Sequence, residues 1–285
     1  MFIPTHDPTR SELKLNWQPV RSLNPISRWI VTCIVVITCH MQMGRAQSPK
    51  IHPWLAQAPG EFGRLIDRGN VQVKVDDERI RLAGKSAVTL FQFVADFDSK
   101  FKYEWIDSKP QNGLWKARIT AWMDQPKIRL EHTICIPSTY NPTEPWTSKL
   151  IKHEFDHVAI STDPRLVKII KRVLQRRRTW VAKFEQPTLP SENDVRDQIR
   201  QEIGLEIKNC ERMVQAQYDR LDKESSDGLS TIGNRFDFFL ELYSVSGLER
   251  CQFEHVDEVR AMLTDKRLDI PTTKEVEQHY LFLRP

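Results

Sequence analysis

Within Leu150-Ile-Lys-His153-Glu154-Phe-Asp-His157-Val-Ala-Ile160 the chain reads HExxH, in a segment whose residues favour helix. Positions i and i+4 of an α-helix share one face, a turn apart. The imidazoles of His153 and His157 are therefore expected side by side, as two ligands of one Zn2+. Glu154 lies one position on, rotated toward the open coordination site, where a carboxylate can take a proton from water. The chemistry implied is metal-assisted hydrolysis, with Glu154 as the catalytic base. The alternative is a polar surface helix that happens to carry two histidines.

The flanking elements have to position these side chains. Val71 to Val75 alternates apolar and polar residues, as a strand does, and Ile80-Arg-Leu82 reads as a second short strand. Ser86 to Phe97 carries Val88, Leu90, Phe91, Val94 and Phe97 at helical spacing, with Ser86 as the cap. Two strands are expected next, Leu114 to Met123 and Ile128 to Ile136, joined by a turn at Asp124-Gln-Pro126. His132 falls on the apolar face of the second, as a hydrogen-bonded core residue. That strand is also the expected edge facing an extended substrate. The helix holding HExxH is expected to start at Thr143 or Glu144, with Pro145 in its first turn.

Downstream, Asp163-Pro164 opens a second helical pattern. Its apolar stripe is Leu166, Ile169, Ile170, Val173 and Leu174, and its polar face is Lys168, Lys171, Arg172, Arg176, Arg177 and Arg178. Such a face is either solvated or in contact with an anionic envelope polymer or lipid. Ser191 to about Ser226 then forms one long helix with a stripe of Ile199, Ile203, Ile207, Cys210, Val214 and Leu221. The two helices read as an antiparallel hairpin. If the first is collinear with the HExxH helix, it runs about 45 Å past His157, and the return needs about 30 residues. That brings residues 220–224, with Asp222 and Glu224 among them, level with the histidines. Asp163, six residues after His157, is a further carboxylate candidate, although Ile160 stands where such a site uses glycine.

The chain has 285 residues and a formal charge of +4, which gives no argument for nucleic acid as a partner. Residues 1–46 have the layout of a signal peptide: basic residues, the apolar run Trp29 to Thr38, and Gly44-Arg-Ala46 ahead of Gln47. A secreted or periplasmic protein is expected, or one anchored by an uncleaved N-terminal segment. Cleavage would leave Cys135, Cys210 and Cys251, enough for at most one internal disulfide. Residues 47–69 read as a loose lead-in, 70–230 as the metal-binding domain, and 231–285 as an extension in which His255 and His279 are expected at the surface.

Trp146-x-x-x-Leu150-x-x-His153-Glu154-x-x-His157, taken with Asp222-x-Glu224-Ser225-x-Asp227-Gly228, resembles the predicted secreted zinc-dependent proteases of bacteria, a family defined as a domain of unknown function. That family shows a tryptophan before HExxH and an Asp-x-Glu-Thr-x-His-Gly stretch after a long helix. Here Ser225 stands for the threonine and Asp227 for the histidine. The resemblance covers roughly residues 70–230. It implies a secreted zinc metallopeptidase acting on peptide or cell-envelope substrates; the alternative is a non-catalytic envelope-associated metal-binding or interaction protein on the same fold. The architecture expected is α+β and zincin-like: a small antiparallel sheet, the HExxH helix, then a long helical hairpin. A catalytic zinc takes three protein ligands. His153 and His157 supply two, and the position matching the family's histidine makes Asp227 the expected third, with Glu224 the alternative.

Overall fold

The computed structural model describes residues 53–106, 112–140, 144–265 and 271–280. The signal-peptide pattern and the Thr143 cap lie outside them. Among the described residues no helix is long and apolar enough to cross a membrane.

The fold is mixed α/β around one sheet. Its centre is β3 (Leu114–Ile136), flanked along its length by β2 (Val88–Trp105). On the other side of β3 lie β1 (Val71–Val75), parallel and paired with 132–136, and β4 (Arg178–Glu185), antiparallel and paired with 114–121. The sheet is therefore mixed, where an antiparallel one was expected.

Several elements differ from the sequence reading for local reasons. The turn at Asp124-Gln-Pro126 is a bulge within one strand. Asp96 pairs with Lys127 and Asp98 with Asp124, so β3 carries one extra residue there, and Gln125 takes φ 45°. The inward set accordingly shifts from Trp115, Ala117, Ile119, Ala121 and Met123 to Leu130, His132, Ile134 and Ile136. An inserted residue changes the parity of a strand without reversing it. Residues 88–97 are strand, not helix. Thr89 and Phe93 are buried while Val88, Leu90 and Val94 of the other face are half-buried, so apolar residues on both faces hid the alternation. Ile80 to Leu82 belongs to a helix, α2 (Asp77–Ala83), because Asp76 caps it by accepting from Arg79 N–H at 3.0 Å and Gly84 ends it at φ 67°.

The lead-in is structured from residue 53. It holds a 3-10 turn and α1 (Gly60–Gly69), whose Phe62 and Leu65 are buried. Helix α3 (Lys149–Ser161) carries HExxH and follows a short 3-10 turn at Pro145–Thr147. It is buried on nearly every face: Phe62 and Trp146 pack on Phe155 with ring centroids 5.2 and 5.5 Å away. Each such apolar side chain contributes about 1.5–3 kcal/mol by leaving water.

Helix α4 (Pro164–Gln175) is shorter than expected. The chain turns at Arg176 and returns as β4, whose Ala182 and Phe184 point inward between exposed Val181, Lys183 and Glu185. Helix α5 (Glu192–Ser225) begins in a capping box of Ser191 and Asp194 and runs 34 residues, about 50 Å. Among the described residues four short helices follow: α6 (Arg235–Leu242), α7 (Val245–Arg250), α8 (Val256–Thr264) and α9 (Thr273–His279). They share one apolar cluster with the rest, from Leu55 to Tyr280. His255 and His279 are buried, contrary to expectation. His255 contacts the Glu206 carboxylate at 2.5 Å, and His279 Nε2 lies 2.9 Å from the Ala159 carbonyl at the end of α3. His132 is a core histidine as read: its Nδ1 lies 2.6 Å from the Gly69 carbonyl and its Nε2 meets Ser161.

Candidate metal centre

Near its C-terminal end α5 buries Met213, Val214, Gln217, Tyr218, Leu221 and Ser225. Asp222 follows Leu221 and stands one turn beyond Tyr218, so it lies at the margin of that stripe and turns toward α3. Glu224 is two residues further on, about 200° around the helix, and is exposed.

The result is a cluster of His153, His157 and Asp222 whose ligand atoms lie within 4.8 Å of one another, a group that could hold a metal ion. His153 Nε2 is 3.0 Å and His157 Nε2 2.9 Å from the same oxygen, Asp222 Oδ1. The imidazole side chains are each 6% exposed and the carboxylate 12%. Lys85 donates to the other oxygen, Asp222 Oδ2. The donor set suits zinc: two neutral imidazoles and a carboxylate are the protein ligands of many hydrolytic zinc sites. The Tyr218 ring packs 4.4 Å from that of His157 and fixes its plane. His157 Nδ1 is buried without a hydrogen-bond partner among the described residues.

Glu154 is 3% exposed. Its Oε2 accepts a hydrogen bond from Thr89 Oγ1 at 2.7 Å, so β2 holds the carboxylate from the sheet side. Asp156, on the opposite face of α3, is buried and paired with Arg235 of α6. Burial pushes its carboxyl above the ordinary range, against the pull of Arg235.

The electrostatics of the cluster are coupled. Burial alone would lower the His153 pKa, but the hydrogen bond with Asp222 and the nearby acids outweigh it and hold it above the usual value. Burial opposes ionisation of Asp222, yet hydrogen bonds from His153, His157 and Lys85 keep its carboxyl well below the ordinary range. Lys85 is raised: burial works to lower it, and Asp222, Asp227 and Glu154 overcome that.

The third member is thus Asp222, not Asp227. Asp227 sits past the end of α5 in a left-handed turn at φ 54°, with its side chain 62% exposed and 3.6 Å from Lys85. Glu224 faces away on the exposed side of the helix. Asp163 is fully buried, caps α4 by accepting from Arg165 N–H at 2.8 Å, and is bound by the Arg165 guanidinium and the Tyr280 hydroxyl. Gly228 has its own place: at φ 81° it lies so close to His153 that an added Cβ would stand 2.7 Å from Cγ. The sequence reading missed Lys85, Thr89 and Tyr218, because no local pattern ties residues so far apart in the chain to the motif.

Within the strand 128–136 only residues 132–136 are paired on both sides, by β1 and β2; 128–131 pairs with β2 alone. The strand beside Glu154 is β2. The six cations beyond Pro164 do not form one face either: Arg176 pairs with Glu258, Arg177 stacks 4.3 Å over Trp122, and Arg178 contacts Glu206 at 3.2 Å. Cys135, Cys210 and Cys251 are all free thiols.

Compared with known protein families, with curated proteins and with solved structures, the chain matches none.

Proposed function

We propose that this chain is a secreted zinc-dependent peptidase, with His153, His157 and Asp222 as the protein ligands of the metal and Glu154 as the general base. The observation that carries the reading is the convergence of both HExxH imidazoles on one carboxylate from a distant helix, beside a buried glutamate one residue along. Export rests on the N-terminal sequence pattern alone. When bound, zinc supplies Lewis acidity toward a carbonyl oxygen and toward water.

The chain's own residues do the rest. Glu154 takes the proton of the attacking water and returns it to the departing amine. Thr89 ties down one carboxylate oxygen and leaves the other to carry that proton. The side of β2 away from β3 pairs with no strand among the described residues. An extended peptide adding to that edge would pass close to Glu154.

One observation favours a second reading, a structural His–Asp–Lys cluster without metal. Asp222 already accepts from Lys85 and lies within hydrogen-bond distance of both imidazoles, so the group holds together by itself. Metal analysis of the purified mature protein separates the two, since the peptidase reading expects one zinc per chain. Glu154→Gln then tests the mechanism on labelled casein. Zinc content and circular dichroism should stay as in the native chain while hydrolysis falls about 10²–10⁴-fold. Hydrolysis that survives the substitution unchanged would remove Glu154 from the role of base.

A further inference from the structure

Resting on that zinc reading, we infer that Lys85 is a positioning residue that makes Asp222 a one-oxygen ligand. Asp222 uses its two oxygens separately. Oδ1 faces His153 and His157 at 3.0 and 2.9 Å, and Oδ2 is taken by the Lys85 ammonium. A carboxylate can bind a metal through both oxygens. Here the second one carries a hydrogen-bonded cation, whose charge also repels a dication approaching from that side. One oxygen therefore binds, and a coordination position stays open for water and the scissile carbonyl.

Lys85 is held in place for this. Gly84 ends α2 in the left-handed region at φ 67°, and the Lys85 N–H bonds back to the Ile80 carbonyl at 3.4 Å. The side chain also reaches Asp227 Oδ1 at 3.6 Å. Asp227 belongs to a run of positive-φ residues, Ser226, Asp227 and Gly228, that presses Gly228 onto His153. One ammonium thus fixes the orientation of Asp222 and tethers the turn that backs His153. An exposed ion pair contributes little to a protein. This one differs because its carboxylate is 12% exposed and shared with two imidazoles.

Cobalt(II) in place of zinc reports coordination number through its visible absorption, which is strong in four-coordinate sites and weaker in five-coordinate ones. The native chain saturated with cobalt should give the strong band. Lys85→Met frees Oδ2, and its saturated cobalt form should lose about two-fold in intensity, while Lys85→Arg, which keeps a cationic donor, restores the band. If circular dichroism shows Lys85→Met unfolded, Lys85→Gln serves for the comparison, since it removes the charge and keeps a polar side chain. The inference is overturned if the folded, saturated neutral variant has the native band, because Asp222 then binds in the same way without the cation. A native chain that takes up no cobalt or zinc overturns the peptidase reading, and this inference with it.

Discussion

Single residues divide the site's labour, and single substitutions separate their roles. Asp222→Ala removes the carboxylate that both imidazoles face, so zinc affinity should drop by orders of magnitude in a competition titration. Asp227→Ala removes only an exposed partner of Lys85 and should keep zinc within about ten-fold of the native value. The reverse ranking would return the third-ligand role to Asp227. Gly228 is constrained twice, by φ 81° and by its approach to His153. Gly228→Ala meets left-handed strain and overpacking together, and urea unfolding should show a loss of about 2–4 kcal/mol. Native-like stability in that variant would mean that the turn relaxes and that the contact with His153 is not tight.

At the scale of elements, the joint between α3 and α4 sets where the HExxH helix ends relative to the core. Asp163 caps α4 there with a fully buried side chain, and its charge is met by Arg165 at 2.7 Å and by the Tyr280 hydroxyl at 2.7 Å. Arg165 in turn donates to the Leu240 carbonyl at 2.6 Å, so α4, α6 and the end of α9 meet at one ion pair. Arg165→Met leaves a buried carboxylate without its cation, and thermal or urea unfolding should register about 3–5 kcal/mol of destabilisation. Tyr280→Phe removes one hydrogen bond of three or more and should cost about 1–2 kcal/mol. Equal losses for the two variants would show that the ion pair is not what holds the joint.

Across the whole molecule, buried histidines tie stability to pH. His132 is fully buried, and that burial lowers its pKa from 6.5 to about 4 against the pull of the Gly69 carbonyl. Burial lowers His279 as well. Below pH 6.5 the unfolded chain binds a proton that folded His132 refuses until about pH 4. Stability should therefore fall as pH drops through that window, by up to about 3 kcal/mol from His132, and be level above it. His153, raised by Asp222, acts with the opposite sign. The difference between the native chain and His132→Gln isolates the one residue: urea midpoints should converge as pH falls from 7 toward about 4.5. Parallel midpoints across that range would show that His132 does not hold its proton off.

The sequence by itself determined the pieces with local causes. HExxH on a helix follows from i,i+4 geometry, the long α5 from its apolar stripe and its Ser191 cap, and the strand character of 114–136 from alternation. Tertiary structure decided what depends on residues far apart in the chain. The bulge at Gln125 was visible as a change of parity, but a turn produces the same pattern, and only the partner strand distinguishes them. Strand β2 looked helical because both of its faces are apolar, and pairing with β3 settles its conformation. The expected third ligand went to Asp227 by position in a motif. The rotation of α5 instead put Asp222 beside the two histidines, because one turn after Tyr218 faces α3, while Asp227, past the helix end, is exposed. Lys85, at a helix end, lies 137 residues before Asp222, and Thr89, on a strand, 65 before Glu154, and no local spacing records a contact made only when the sheet closes against α3 and α5.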